Sequence, residues 1–327
     1  MPFDKKTSLL YVLKVLEEYT DENHLMTYQM IAGKLYSCYS VEIERKTIAS
    51  HVDVLSQFGY DIVKCGKNGL YLGARDFEEG ELLFLIDAIY SSKSMPTAYA
   101  KDLVKRLSKS FSKYAMKRYN HLEKIDDGTN VNNKQIFYTI EILNAAIEQK
   151  KKVEFQYVAY NLNKELQLKN EGMVYKVSPY FMVNNRGKYY LVCNFDKYND
   201  ISHFKIECIT NIKVLEEDVK EIETVSGGEN FSIKDYIKEH IYMVSGKTVE
   251  VKLKIAKEKY VNDVIDWFGK DIVVEKKNDD VFVNLKANET ALVYWALQYG
   301  EHVEVVEPVE TRQKTKEALI SILKKYE

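Results

Sequence analysis

The sequence predicts an α+β chain of several domains, helical at first and rich in β-strands from about residue 153. Apolar residues recur at helical spacing through the first half of the chain, and from Val153 they alternate with polar residues as in half-buried strands. The length of 327 residues suggests two or three domains, because one domain has about 100–200 residues. We therefore expect helical and β-rich domains in succession.

The first 75 residues predict three helices and a β-hairpin. Helical patterns cover residues 5–19, 25–36 and 43–58; Thr27 is a suitable N-cap for the second helix, and Gly59 can end the third. Gly66-Lys67-Asn68-Gly69 is a hairpin turn signal between two short strands. Three helices followed by a hairpin indicate a winged helix-turn-helix domain over residues 1–75.

The third helix has two different faces. Ile48, Val52 and Leu55 form its apolar side, and polar or basic residues form the other, at a width that fits the major groove of B-DNA. The alternative is that Arg45 and Lys46 are an ordinary solvated helix start. The candidate DNA-binding residues, including two lysines of the hairpin, are Arg45, Lys46, Thr47, Ser50, His51, Lys64 and Lys67.

Residues 76–149 predict a helical linker with helices at 76–92, 100–119 and 134–149. The second of these carries seven cations and one anion. This excess is either a solvated face or a further contact to the DNA backbone.

Two β-rich domains are predicted to follow. Residues 150–225 contain five short strands, which favour a small bent barrel. Residues 226–327 follow the order β-α-β-β-α-β, which is ferredoxin-like, and end in a helix.

Several motifs together resemble the bacterial WYL-domain transcriptional regulators. The segment 45–62 resembles their helix-turn-helix, and Tyr189-Tyr190-Leu191 resembles the tripeptide that names the family, with Tyr in place of Trp. Further matches are ELLFLIDAI, FQY at 155–157, SPY at 178–180, HFKIECI at 203–209 and WALQYGEHVEVVEP at the C-terminus. The resemblance implies a winged helix-turn-helix, a WYL domain with an Sm-like barrel, and a C-terminal WCX domain. It also implies a sensor of nucleic-acid fragments or nucleotides.

A ligand face is expected on the WYL barrel. Alternation sends one ring of the Tyr189-Tyr190 pair inward and the other outward, and it places His203, Lys205 and Glu207 on one face. An outward Tyr could stack on a base while cations hold phosphate. A solvated barrel exterior is the alternative. Lys205 stands where the family has Arg, and Cys208 where it has a basic residue. The ligand-binding candidates are Tyr157, Ser178, Tyr189, Tyr190, His203, Lys205 and Glu207.

The sequence lacks the motifs of common enzymes and cofactor sites. Neither a P-loop nor a G-x-S-x-G, H-E-x-x-H or G-x-G-x-x-G motif is present, and the six histidines lack metal-ligand spacing. We therefore expect no catalytic residue, metal or cofactor. Four cysteines without a C-x-x-C pair, no signal peptide and no long apolar run favour a cytoplasmic protein with reduced thiols.

The expected partners are a double-stranded DNA operator, a nucleic-acid or nucleotide ligand and a second copy of the chain. We expect the linker helices and the WCX domain to form the dimer surfaces. Two other functions stay open: a ligand-responsive interaction module of a defence system, or an RNA-binding protein. In either case the helix-turn-helix would be vestigial.

Overall fold

The computed structural model describes residues 7–118, 135–225 and 232–327. The chain forms two compact units that divide near residue 130. The first unit is helical apart from one hairpin, and the second contains two β-sheets with helices.

The first unit begins with three helices and a two-stranded antiparallel hairpin, in the order that the sequence predicts. Thr27 caps the second helix by accepting a hydrogen bond from the amide of Met30, and Gly59 ends the third with φ 118°, a value that suits glycine. The elements are α1 Ser8–Tyr19, α2 Tyr28–Tyr39, α3 Arg45–Phe58, β1 Ile62–Lys64 and β2 Leu70–Leu72.

The core of this part lies between the three helices and the hairpin. Ile48, Val52 and Leu55 of α3 are buried as predicted. On α1, Leu10 is 63% exposed, whereas Val12, Val15 and Leu16 are fully buried. Ser8, Val12 and Val15 follow the i, i+4, i+7 spacing of one helix face, which Leu10 does not share.

Three further helices follow in the described part of the first unit: α4 Glu79–Ser91, α5 Thr97–Leu107 and α6 Lys113–Arg118. The sequence predicted one helix over 100–119, but the chain breaks at Ser112. The hydroxyl of Ser112 donates to Asp21 Oδ2 at 2.5 Å and accepts from the amide of Ala115 at 3.0 Å. Arg75 donates to the carbonyls of Glu17, Thr20 and Ser110. These buried polar contacts hold the break against α1.

The second unit begins with a helix and six strands. They are α7 Ile136–Glu148, β3 Lys151–Tyr160, β4 Leu166–Leu168, β5 Val174–Asn185, β6 Lys188–Phe195, β7 Ile201–Lys205 and β8 Ile209–Asp218. All pairs are antiparallel in the order β4-β3-β5-β6-β7, and β8 also pairs with β3. β4 was not predicted.

Helix α7 belongs to this sheet. Its residues Ile136, Leu143 and Ala146 are buried in one cluster with Val153 and Phe155 of β3. The sequence placed this helix in the linker and began the β-rich domain at residue 150. Helical periodicity shows which face is apolar, but it does not show which partner covers that face.

The rest of the unit is a second sheet with four helices. Its elements are α8 Ile233–Glu239, β9 Thr248–Ile255, α9 Val261–Phe268, β10 Val273–Lys277, β11 Asp280–Asn288, α10 Glu289–Gln298, β12 Val303–Glu307 and α11 Val309–Leu323. From β9 onward the element order is the predicted one, and the antiparallel sheet has the order β10-β11-β9-β12. Trp295 is fully buried in its core.

The two sheets of the second unit are joined by α8 and by the β5–β6 turn. Tyr236 of α8 packs with Val192 and Ile201 on the outer face of the first sheet. At the turn, the guanidinium of Arg186 lies 3.4 Å from the centre of the Trp267 ring. The side-chain amide of Asn185 donates a hydrogen bond to the backbone carbonyl of Ile241 at 3.0 Å. The sequence did not predict α8.

Candidate functional site

Helix α3 presents the polar face that the sequence predicts. Arg45, Lys46, Thr47 and Ser50 are exposed, while the apolar side of the helix is buried. The guanidinium carbon of Arg45 lies 6.0 Å from the centre of the Tyr28 ring at the start of α2. Two cations and two hydroxyls in the first two turns can donate hydrogen bonds to phosphates and to base edges.

Two of the predicted DNA contacts are engaged within the protein. His51 Nε2 lies 2.6 Å from Ser8 Oγ, and partial burial lowers the pKa of His51. Lys64 Nζ lies 2.6 Å from Asp53 Oδ1, so this lysine forms an exposed ion pair with a carboxylate of α3. Lys67 is exposed in the hairpin turn. Of the two hairpin lysines, Lys67 is therefore the better placed for a phosphate.

The tyrosine pair of β6 is divided between two clusters, as alternation predicts. Tyr189 packs against the core between α7 and the first sheet. Tyr190 packs against the cluster under α8. Both rings are half-buried, so the outward ring is partly covered by protein.

Strand register defines the face that carries Tyr190. Tyr190 lies opposite Lys205, and Val192 lies opposite His203, so these side chains share one face of the sheet. Glu207 does not join them. Strand β7 ends at Lys205, and a single 3-10 turn over Ile206–Cys208 breaks the alternation and leaves Glu207 only 2% exposed. The predicted row of three polar residues is therefore wrong at Glu207.

His203 is a largely buried, neutral residue rather than a cation for phosphate. Its Nε2 is 2.8 Å from the hydroxyl of Tyr236, and the Tyr236 ring stacks on His240 at 3.9 Å. Burial, assisted by the nearby His240, lowers the pKa of His203 to about 3. Among the described residues, His203 Nδ1 has no hydrogen-bond partner. The histidine therefore helps to hold α8 on the sheet.

Ser178 and Tyr157 also hold the backbone. Ser178 is fully buried, and its Oγ accepts from the amide of Lys220 at 2.9 Å, which leaves it no surface for a ligand in this structure. The Tyr157 hydroxyl accepts from the amide of Lys205 at 3.1 Å. Burial, together with the neighbouring Cys208, raises the pKa of Tyr157.

Three partly exposed polar side chains lie together near Tyr157. Lys188 and Tyr190 are two residues apart on β6, and Lys205 lies opposite Tyr190 on β7. We call Lys188, Tyr190 and Lys205 the lysine–tyrosine face. Burial and the nearby Glu207 raise the pKa of the Cys208 thiol. Lys205 and Lys188 lie close enough to offset part of this rise. Two cations beside an aromatic ring can hold an anionic group next to a flat one.

Comparison with known families decides the assignment of the second unit. The family model of the WYL domain matches residues 138–214, and that of the WCX domain matches residues 247–323. The second unit contains a WYL domain followed by a WCX domain. The WYL match begins inside α7, in agreement with the packing of that helix.

One relative spans nearly the whole chain. A protein of Bacillus subtilis (strain 168), named as the HTH-type transcriptional regulator YobV, is 23% identical over 321 residues. The alignment covers 91% of this chain and 94% of the relative.

Two solved structures also align with the WYL-domain protein. The proteasome accessory factor B/C of Arthrobacter aurescens is 13% identical, with a TM-score of 0.30. The alignment covers 99% of this chain, which spans about half (49%) of that longer chain. A CRISPR Cas-related protein is 15% identical with a TM-score of 0.38, and 98% of this chain and 85% of that one are covered. Scores this low do not establish a common fold.

Lys188 was missed as a site residue in the WYL domain, although a signal for it exists. In the segment GKYYLVCNF it stands two positions before Tyr190, so alternation places it on the same face. No pattern in the sequence predicts that Ser178 and His203 form hydrogen bonds within the protein. Their partners, Lys220 and Tyr236, lie more than 30 residues away along the chain.

Within residues 7–118, 135–225 and 232–327, no group of three His, Cys, Asp or Glu side chains is placed to hold a metal ion. In the same ranges no helix combines the length and the apolar character needed to span a membrane.

We expect Tyr157→Phe to destabilise the WYL domain by about 1–2 kcal/mol, because the amide of Lys205 loses its acceptor while the packed ring stays. Urea denaturation measures the free energy of unfolding. Tyr198→Phe, on a ring that is 50% exposed, is the matched control and should have little effect. Equal stability of wild type and Tyr157→Phe would contradict a structural role for this hydroxyl.

Proposed function

We propose that this WYL-domain protein is a sequence-specific, DNA-binding transcriptional regulator that acts as a homodimer. The observation that carries the proposal is the exposed face of α3, with Arg45, Lys46, Thr47 and Ser50, on a helix that a β-hairpin follows. The relative that covers 91% of the chain is named as an HTH-type regulator, which supports it. We assign α1 to β2 as a winged helix-turn-helix, with α3 in the major groove and Lys67 of the wing on a phosphate.

A homodimer follows from the requirement for selectivity. One winged helix contacts only a few base pairs, whereas two copies related by a two-fold axis contact two half-sites. The test is a gel shift with sheared genomic DNA, followed by selection of bound fragments. Enrichment of a two-fold symmetric sequence supports the proposal. Failure to retain duplex DNA at any salt concentration would leave the interaction module or the RNA-binding protein as the better explanation.

We further propose that the WYL domain senses a nucleic-acid fragment or a nucleotide. We assign strands β3 to β8 as an Sm-like barrel. The lysine–tyrosine face is the proposed contact, with Tyr190 under a base and with Lys188 and Lys205 on phosphate. Lysine supplies a point charge without the bidentate geometry of arginine, so we expect the grip on phosphate to be less directional than an arginine would give.

The proposed signal passes by a shift in population. A ligand that binds one arrangement of the dimer more tightly favours that arrangement and so changes the spacing of the two α3 helices. The contacts of α8 and Arg186 join the WYL domain to the WCX domain, to which we assign a ferredoxin-like fold. Movement at the lysine–tyrosine face can therefore reach the WCX domain through packed side chains.

Lys188→Ala together with Lys205→Ala should weaken binding of a fluorescent single-stranded oligonucleotide by about tenfold or more, because two phosphate contacts are lost. Fluorescence anisotropy measures the affinity, and competition with RNA and with mononucleotides distinguishes the ligand classes. The matched control is Lys164→Ala with Lys169→Ala, two other lysines of the WYL domain. If the first pair binds as wild type does, the ligand contacts another surface.

A further inference from the structure

Helix α11 is attached to the WCX domain mainly through its first half. Thr311 and Lys314 donate to the carboxylate of Glu289 at 2.9 and 2.6 Å. Arg312 donates to the carbonyl of Val305 at 2.9 Å and forms an ion pair with Glu304 at 2.7 Å. Thr311 is the buried residue of this 15-residue helix. The second half of the helix therefore has little covering from the residues that the structure describes.

That second half is nevertheless apolar. Leu319 is 50% exposed, Ile320 44%, Ile322 39% and Leu323 60%. At 100° per residue, Leu319, Ile320 and Leu323 fall within one stripe about 100° wide, turned away from the side that Thr311 anchors. A continuous exposed apolar stripe of this kind marks an interaction surface.

We propose that this stripe packs against the same stripe of a second copy of the chain, with the two helices antiparallel about a two-fold axis close to Ser321. Such an axis brings Leu319 of each copy next to Leu323 of the other. Contacts of this kind repeat on both sides of the axis, because a two-fold interface is made of the same surface twice.

The charges beside the stripe are self-complementary in this arrangement. Glu317 and Lys324 lie on the same flank of the stripe, three to four residues on either side of the axis. Antiparallel pairing therefore places Glu317 of each copy beside Lys324 of the other, which makes two ion pairs. A parallel two-fold pairing would instead place this flank of the two copies on opposite sides of the seam, so Glu317 and Lys324 could not pair. The charge pattern selects a second copy of this helix as the partner.

The inference names the surface of the dimer and rests on the homodimer of the proposed function. One pair of helix stripes is smaller than a typical interface of about 1,600 Å². We therefore expect a dimer that dissociates on dilution.

Sedimentation velocity of the full chain over a range of concentrations tests the surface. Leu319→Glu with Leu323→Glu should raise the dissociation constant of the dimer by about tenfold or more, because four carboxylates enter the apolar contact. Leu162→Glu, at a leucine that is fully exposed in the β3–β4 turn, is the control and should leave the dimer intact. Circular dichroism checks that each variant folds.

Charge reversal tests the pairing itself. Glu317→Lys alone and Lys324→Glu alone should each weaken the dimer by roughly fivefold, since two ion pairs become repulsive. The double variant should return to within about twofold of wild type, because the pairs form again in reverse. A role of either residue within its own helix would not produce this recovery.

The outcomes separate the surface from the dimer. A wild type that is dimeric, and stays so after Leu319→Glu with Leu323→Glu, overturns α11 as the interface but keeps the homodimer. If Leu162→Glu dissociates the dimer and the α11 variant does not, the interface lies near the β3–β4 turn, and α11 is again overturned while the homodimer is kept. A wild type that is monomeric at every concentration overturns both. Selective loss of the dimer in the α11 variants, with recovery on double charge reversal, supports the inference.

Discussion

Replacing Arg45 and Lys46 together by alanine is expected to weaken operator binding by about 100-fold at near-physiological salt. Both side chains are exposed in the first turn of α3, so their loss removes contacts to DNA and leaves the core of the domain unchanged. Each cation that neutralises a phosphate releases counterions, and the slope of log affinity against log salt should therefore fall by about 2.

The measurement is a gel shift or fluorescence anisotropy over a salt series. The control is Lys276→Ala with Lys277→Ala, two adjacent lysines of strand β10 in the WCX domain. This variant loses the same net charge as the Arg45 and Lys46 variant. Its operator affinity and the slope of log affinity against log salt should nevertheless stay nearly unchanged. An unchanged slope in the Arg45 and Lys46 variant would exclude α3 as the DNA-reading helix.

Acidification below pH 6.5 is expected to destabilise the second unit. Burial holds the pKa of His203 at about 3 in the folded chain, whereas an unfolded histidine titrates near 6.5. The unfolded state therefore binds more protons between these values, and stability falls as the pH is lowered through 6.5. The loss from His203 is about 2 kcal/mol at pH 5. The pKa of the buried His240 is also lowered, which adds to the effect in the same direction.

Urea denaturation at several pH values between 7.5 and 4.5 measures this loss. His203→Gln should flatten the dependence on pH, because the largely buried imidazole no longer titrates, while His51 and His240, whose pKa values are also lowered, still contribute. His302→Gln, at a histidine stacked on Tyr260 at 3.8 Å, is the matched control for the loss of an imidazole elsewhere in the second unit. If the free energy of unfolding depends on pH equally in wild type, His203→Gln and His302→Gln, then the surroundings of His203 do not oppose its protonation.

Local patterns predicted most of the helices and strands. The capping of α2 by Thr27, the end of α3 at Gly59 and the hairpin turn at 66–69 depend on residues adjacent in sequence, and the structure contains all three features. The short helix α8 was missed because the seven residues over which it runs are too few for periodicity to be recognised. The break at Ser112 was missed because its partner, Asp21, lies 91 residues away.

In the candidate site, too, some features were predicted from local patterns and others were not. Alternation along β6 predicted that Tyr189 and Tyr190 point to opposite faces, and the structure confirms it. The same rule failed at Glu207, where the strand gives way to a 3-10 turn. Alternation holds only while the backbone stays extended.

The sequence by itself predicted most of the elements in order and the polar face of α3, because these depend on residue types at short, regular spacing. Its resemblance to a known family indicated the WYL and WCX domains. Only the tertiary structure decided which of the predicted residues are engaged within the protein. It joins His203 to Tyr236 and Ser178 to Lys220 by hydrogen bonds, and it places Lys64 in an ion pair with Asp53. A polar residue on a predicted face is available to a ligand only if no distant segment packs on it, and short-range patterns carry no record of such packing.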